Sequence, residues 1–416
     1  MRDESVAGVF GTMPWMVVRA AALIVAAFAA GAPAGAQAWR ASWTASPAPS
    51  LQAGPGVPPE FVSPVIANQT IVQVIRLSAG GDAVRLRLSN EFGAAPLHIG
   101  RVTVRLLDAA GAKTVGEPRV VTANGNADFT VAPGSPLISD AIAIHVPARA
   151  QLSVAIYVTD EKTACTCHAD GQAYTLLSPP GDYTTRAFTP ASRTPARPFL
   201  TAVEVQGAPG RVVAALGDSI TDGYMSTPDA DRRWPDFLAA RLHGTADLAS
   251  AAVINVGISG NRVLAPDPVA IFGVPALARL DRDVFAMTGV TDLIVLEGIN
   301  DIGSAPETPA AALIAAYQQI TARAHAHGIK VHLATILPFE GADYYSEAGE
   351  ATRQAVNAWI RTNPGDGPVI DFDAVTRDPL HPKRMRTELQ SGDWLHPNVA
   401  GYQAMADAIA MDMFRK

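Results

Sequence analysis

The stretch "ALGDSITDG" (215–223) closes an apolar run, "RVVAAL" (211–216), and opens a polar turn. A short, nearly unbroken apolar run that stops at a glycine reads as a strand buried on both faces, the kind that parallel sheets use. Four further β-rich runs come after it: "AVINV" (252–256), "DLIVLEG" (292–298), "IKVHLATI" (329–336) and "PVIDF" (368–372). Longer segments of helical spacing lie between them. In 309–327, Leu313, Ala316, Tyr317, Ile320 and Ala324 fall on one helical face. Strand–helix alternation of this kind implies a parallel sheet covered on both sides. The expectation for 206–416 is therefore α/β: a flavodoxin-like, five-stranded parallel sheet.

Upstream the grammar changes. "AVRLRLS" (83–89) sends Val84, Leu86 and Leu88 one way and Arg85 and Arg87 the other, and "LSVAIYV" (152–158) alternates likewise. Such runs, separated by turns such as "SAGGD" (78–82) and "TANGN" (122–126), indicate half-buried antiparallel strands. Residues 39–205 are expected to form an all-β sandwich or jelly-roll-like domain. "ASRTPARP" (191–198) and "QGAPG" (206–210) supply the Pro and Gly of a connector to the second half.

The N-terminus reads as a secretory signal peptide over 1–38. In "MVVRAAALIVAAFAAGAPAGAQAW" (16–39), Arg19 precedes an apolar run that turns small and ends in Ala36-Gln37-Ala38, with cleavage expected after Ala38. Asp3 and Glu4 are unusual in such a leader, and Met13 or Met16 would make a more ordinary start. The run before Pro33 is shorter than the ~20 residues a membrane span needs. The mature chain is thus expected to be secreted or periplasmic, with no membrane span.

Composition narrows the function classes. With 48% hydrophobic and 17% charged residues the 416-residue chain falls outside the disordered class. Its net charge of −7 and lack of a basic block exclude the electrostatic footprint of a nucleic-acid binder. No G-x-G-x-x-G follows a strand, and there is no phosphate-cradling loop. The two cysteines, Cys165 and Cys167 in "TACTCHADG" (163–171), allow one bridge. A metal site with His168 would lack a fourth ligand and the usual spacing, so a surface loop, bridged or not, is the better reading. No metal or cofactor is expected.

In an open parallel sheet, ligands bind beyond the carboxyl ends of the strands. Four polar clusters fall there: Ser219 after the first strand, "NVGISGNR" (255–262) after the second, "EGIND" (297–301) after the third and "GDWLHP" (392–397) after the fifth. A serine hydroxyl needs a base to take its proton, and that base needs a carboxylate to orient it. Asp393 and His396, three residues apart, can meet on a single turn. The following segment (398–414) reads as a helix with Val399, Tyr402, Ile409 and Met413 roughly on one face, which would brace that turn. Oxyanion donors are available from the Gly260 backbone and the Asn300 amide. Taken singly, the plainer readings are favoured: Ser219 as a helix cap, Gly260 as a turn glycine and Asn300 as a turn former. Asp218 and Asp301 read as loop-bracing carboxylates, Trp234 as a core residue, and His325 and His327 as groups at a helix C-terminus.

The set "GDSITDG", "GISGN", "GIND" and "DWLHP", in that order over 211–410, resembles the SGNH branch of the GDSL hydrolases. The resemblance implies Ser219 as nucleophile and Asp393 and His396 as its triad partners. It also implies an oxyanion hole from the Ser219 and Gly260 amides and Asn300. Ile220 stands where the family usually has Leu. Longer stretches, 217–236, 296–303 and 391–402, are similar to the arylesterase/acylhydrolase-like subgroup first associated with xylan-degrading gene clusters, whose members commonly carry an N-terminal β-rich domain. "SNEFG" (89–93) is similar to that subgroup too, without an assigned role. The activity implied is that of an exported serine esterase acting on short-chain acyl esters, with an acylated polysaccharide or oligosaccharide as the implied partner. A general aryl or lipid esterase, an acyltransferase to sugar and a carbohydrate-binding protein with an inert esterase domain are the competing readings.

Overall fold

The computed structural model describes residues 38–54, 57, 62–108, 110–111 and 113–415. The expected signal peptide, all but Ala38, lies outside the described residues. The described residues belong to one compact unit.

The β-rich part contains two antiparallel sheets. A five-stranded sheet runs Ala38–Thr44, Leu200–Gly207, Gly81–Ser89 and Pro136–Ile138 in spatial order, with Ile142–Val146 also on Gly81–Ser89. A seven-stranded sheet runs Ser192–Thr194, Thr175–Pro180, Gln69–Arg76, Gln151–Val158, Leu97–Leu107 and Thr114–Val121, with Phe129–Val131 on Leu97–Leu107. Period-two patterning decides which faces close: Val84, Leu86 and Leu88 are fully buried, as are Leu152, Val154, Ile156 and Val158, and all join one core. On the other face Arg85 sits in register with Glu204 and binds it at 2.6 Å.

The second half carries a parallel sheet of four strands, not the expected five. Spatially, Ala252–Asn255 lies beside Val212–Gly217, then Asp292–Leu296 and Lys330–Leu333. The fifth expected run, 368–372, makes one parallel bridge, Ala334 to Ile370. Pro368 has no N–H to donate. On the other side Asp371 already caps the helix Phe372–Thr376 by accepting from Ala374 N–H, so the chain leaves the sheet after one paired residue. Helix Ala310–Ala326 buries the five residues its spacing singles out. The C-terminal segment differs from expectation, since the α-helix spans only Val399–Ala408 and Ile409 turns extended before a short 3₁₀ turn, Met411–Phe414.

Strand Ala252–Asn255 is the edge of the parallel sheet, and an open edge is a row of unpaired backbone groups. The β-rich part covers it. Val253 N–H donates to Ser78 Oγ (2.7 Å), and the Asn255 carbonyl accepts from Thr44 Oγ1 (2.7 Å). Nearby, Ala41 N–H donates to Thr288 O (2.9 Å) and Thr288 Oγ1 to Glu204 (2.7 Å). Ser78→Ala leaves the buried Val253 N–H without its acceptor and is expected to cost about 1–3 kcal/mol. Urea unfolding of the purified chain measures this, and an unchanged midpoint would mean the edge is covered by other means.

Candidate active site

Local sequence explains how Ser219 is presented. A Cβ on Gly217 would lie 2.0 Å from Thr221 Oγ1 and 2.7 Å from the Leu296 carbonyl, so only glycine lets the strand end this close to its neighbours. Asp218 then caps the next turn, accepting from Ile220 N–H at 2.9 Å. The helix Ser219–Asp222 lasts one turn and ends at Gly223, whose φ of +97° suits glycine. Ser219, the first helical residue, has an N–H without an intrahelical acceptor.

Two other segments meet this serine. Ser219 Oγ lies 2.8 Å from His396 Nε2, and His396 Nδ1 lies 2.6 Å from Asp393 Oδ2. Asp393 Oδ1 accepts from His396 N–H (2.8 Å), Leu395 N–H (2.9 Å) and Ser391 Oγ (3.0 Å). Trp394, between them, sits at φ +59°, a left-handed conformation that folds the turn back onto the carboxylate. Partial burial opposes the charge on Asp393. The His396 hydrogen bond and charge outweigh it, with the two backbone N–H groups, and hold the carboxyl well below its usual range. Tyr224 packs edge-on against the His396 ring (4.7 Å between centroids), and its carbonyl is held by the Tyr402 hydroxyl at 2.6 Å.

Gly260 sits at φ +76°, and a Cβ there would lie 2.4 Å from Phe272 Cγ. The turn is fixed by its neighbour: Asn261 Nδ2 donates to the Phe272 and Val274 carbonyls at 2.7 and 2.9 Å. Asn300 Nδ2 donates to the Asn261 carbonyl (2.9 Å), while its Oδ1 accepts from Tyr344 OH (3.3 Å). An amide nitrogen carries two hydrogens, so one remains for a ligand. Asp301 braces the loop after Gly260, accepting from Val263 and Leu264 N–H at 2.8 and 2.9 Å.

Beneath these groups lies a buried guanidinium. Arg279 donates to the Gly217 carbonyl (3.0 Å), the Val256 carbonyl (2.5 Å), Asn261 Oδ1 (2.8 Å), Asp283 (3.1 Å) and Glu297 (3.3 Å). It thereby joins the carboxyl ends of the first three parallel strands to the Gly260 turn. Burial pushes the Asp218 carboxyl up to about 7, and burial beside Asp218 raises Glu297 well above its usual range. Burial raises Asp301 as well.

Of the residues singled out from the sequence, Ser219, His396 and Asp393 are thus joined directly, and Asn300 joins the Gly260 turn through the Asn261 carbonyl. Arg279, Glu297, Tyr224, Tyr344 and Ser391 were not singled out. "ALARLDRDVF" (276–285) looks like any charged helical segment, and nothing local marks Arg279 as buried. Trp234 is a buried core residue tilted against Phe372, and His325 binds Asp366 at 2.7 Å. Cys165 and Cys167 are bridged, but the expected surface loop is a correction: both are buried inside the β-rich core. Each ring nitrogen of His168 is engaged, and no cluster of metal-ligating side chains occurs among the described residues.

Residues 215–404 match the GDSL-like Lipase/Acylhydrolase family. No curated protein matches the chain. Solved structures that are similar include a G-D-S-L family lipolytic protein from Desulfitobacterium hafniense (22% identity, TM-score 0.37, covering 48% of this chain and 97% of that one). A carbohydrate acetylesterase family member from Sinorhizobium meliloti is 18% identical (TM-score 0.38, covering 48% and 94%). The aryl esterase of M. smegmatis is also 18% identical (TM-score 0.38, covering 48% and 96%).

Two outcomes are expected from this geometry. Gly260→Ala adds a Cβ against Phe272 and displaces the turn, so turnover of p-nitrophenyl acetate should fall by about 10²-fold if the expected role of the Gly260 N–H as an oxyanion donor holds. Steady-state kinetics of the folded variant checks this. Asp218 has a folded pKa above its unfolded value, so the stability linked to its protonation is present below about pH 4 and lost as pH rises towards 7. Asp218→Asn keeps the cap acceptor without the charge. Its urea midpoint should therefore gain on wild type as pH rises through that window, and parallel profiles would show that Asp218 is ionised throughout.

Proposed function

Taking residues 215–404 as the catalytic segment of a carboxylic ester hydrolase of the GDSL/SGNH type, we propose that the chain works as a serine esterase through Ser219, His396 and Asp393. The single observation that carries the reading is the unbroken contact chain from Asp393 through His396 to Ser219 Oγ, at 2.6 and 2.8 Å. Ser219 Oγ attacks the ester carbonyl while His396 Nε2 takes its proton. Asp393 holds the imidazole in the tautomer that presents a free Nε2 and stabilises the imidazolium that forms. The Ser219 and Gly260 N–H groups and the second Asn300 amide hydrogen receive the oxyanion. Collapse of the tetrahedral intermediate expels the alcohol, protonated by His396. Water, deprotonated by the same histidine, then attacks the acyl-serine and releases the acid.

The preferred substrate is a short acyl ester on a carbohydrate, a reading supported by the resemblance of 217–236, 296–303 and 391–402 to the xylan-associated subgroup. Export through the 1–38 leader belongs to the same proposal. A bridged, buried cysteine pair suits an oxidising compartment.

Ser219→Ala should lower turnover of p-nitrophenyl acetate by at least about 10⁴-fold, and Asp393→Asn by about 10⁴-fold through the wrong imidazole tautomer. In the wild type, kcat/KM should fall as pH is lowered through the range where histidine gains a proton, because only the neutral ring accepts from Ser219. A flat profile down to about pH 4 would remove His396 as the base. Faster release of acetate from acetylated xylan than hydrolysis of long-chain esters would support the carbohydrate reading, and the reverse order would overturn it.

A further inference from the structure

"TACTCHADG" (163–171) contributes nothing to the triad, yet it is built into the interior. The Cys165–Cys167 bridge lies in the β-rich core, and Cys167 exchanges backbone hydrogen bonds with Ala48 at 2.8 and 3.2 Å. Cys167–His168 also pairs with Arg197–Pro198. From this anchored segment the His168 side chain, 5% exposed, reaches into the hydrolase part. Its Nδ1 lies 3.1 Å from the Ser46 carbonyl and its Nε2 lies 2.9 Å from Asp222 Oδ1. A carbonyl oxygen and a carboxylate can only accept, so both ring nitrogens donate and the ring is an imidazolium paired with Asp222. Burial opposes the charge, but the charge and hydrogen bond of Asp222, the Ser46 carbonyl and the Asp170 charge together outweigh it and raise the His168 pKa, in agreement with that assignment.

Asp222 is the last residue of the one-turn helix that begins with Ser219. Its second oxygen, Oδ2, accepts from Ser259 N–H and Ser259 Oγ, each at 3.0 Å. Asp170, two residues after His168, approaches the same hydroxyl at 3.5 Å. Ser259 directly precedes Gly260. A carboxylate held by His168 therefore fixes, through its other oxygen, the backbone N–H and the hydroxyl of Ser259, the residue whose carbonyl carbon bears the Gly260 N–H.

We propose that His168 is a positioning residue for ester hydrolysis: acting through Asp222, it holds Ser259, and with it the entry to the Gly260 turn, where the Gly260 amide meets the oxyanion. This role rests on the chain being a serine esterase that works through Ser219. The β-rich part is then a component of the active site, because it supplies the group that sets one oxyanion donor. Donors misplaced by a fraction of an ångström weaken the transition state far more than the ground state, so the signature is in kcat. Glutamine can keep one donor facing Asp222, and leucine cannot.

The experiment uses the full chain and compares wild type, Ser219→Ala, His168→Leu, His168→Gln and Asp222→Asn, each checked for native near-UV circular dichroism. Steady-state kinetics with p-nitrophenyl acetate is run beside inhibition by phenylboronic acid, whose tetrahedral serine adduct uses the oxyanion donors. The expected result is a kcat loss of about 30- to 100-fold in His168→Leu with KM within about 3-fold. Boronate affinity should fall in parallel, and His168→Gln should recover most of both. Wild-type kcat in His168→Leu, or a kcat loss without loss of boronate affinity, overturns the proposal while Ser219→Ala remains inactive. If His168→Leu does not fold, Asp222→Asn decides: the same kcat-specific loss supports the positioning chain and a wild-type kcat overturns it. Turnover persisting in Ser219→Ala overturns the nucleophile reading, and the proposal falls with it.

Discussion

The Arg279 guanidinium is the contact on which the site's geometry depends. It is 1% exposed and receives no solvation from water, so its charge must be met entirely by the protein. Two of its partners are backbone carbonyls, at Gly217 and Val256, where the first and second parallel strands end. The third strand answers through Glu297, and the Asn261 side chain brings in the Gly260 turn. Removing one member of such a buried network costs about 3–5 kcal/mol because the others stay desolvated and unpaired. The network is also short of positive charge, since Asp218, Glu297 and Asp301 are all pushed towards their neutral forms by burial. Strand ends that carry the proposed nucleophile and oxyanion donors are thus held at fixed separations by one side chain.

The two halves of the molecule share one apolar core and also meet through directed polar contacts. Edge strand Ala252–Asn255 hands its outward backbone groups to Ser78 and Thr44, and Asp222 meets His168 across the same boundary. Side chains from the β-rich part thus occupy positions that, in an isolated parallel sheet, water would take. An arrangement of directed hydrogen bonds sets orientation more tightly than apolar contact, which has no direction. That property matters where the contact lies one residue away from a group proposed to receive developing charge.

Legibility in the sequence followed the range of the interactions involved. Alternation in 83–89 and 152–158 was enough to assign buried faces, since a strand's two faces are set by its own period. The helix over 310–326 presented its buried residues for the same reason. The fifth strand failed where local chemistry competed: Asp371 capped the following helix and Pro368 withheld a donor, leaving Ile370 alone in the sheet. The cysteine segment looked like a surface loop because Gly, Asp and Thr surround it. Its burial depends on Ala48 and Arg197–Pro198, which are distant in the chain.

By itself the sequence determined four parallel strands of the second half and the helix between the last two, the alternating strands of the first, and the placement of Ser219, Gly260 and Asn300 just beyond parallel strands, with Asp393 and His396 together on one later turn. These follow from periodicity and turn chemistry, which act over a few residues. Tertiary structure alone decided that His396 Nε2 stands 2.8 Å from Ser219 Oγ, across 177 residues of chain. It alone decided that Arg279 is buried and that His168 reaches Asp222. Those contacts join segments whose neighbours in sequence carry no mark of the pairing, so only the packing of the whole chain brings them within bonding distance.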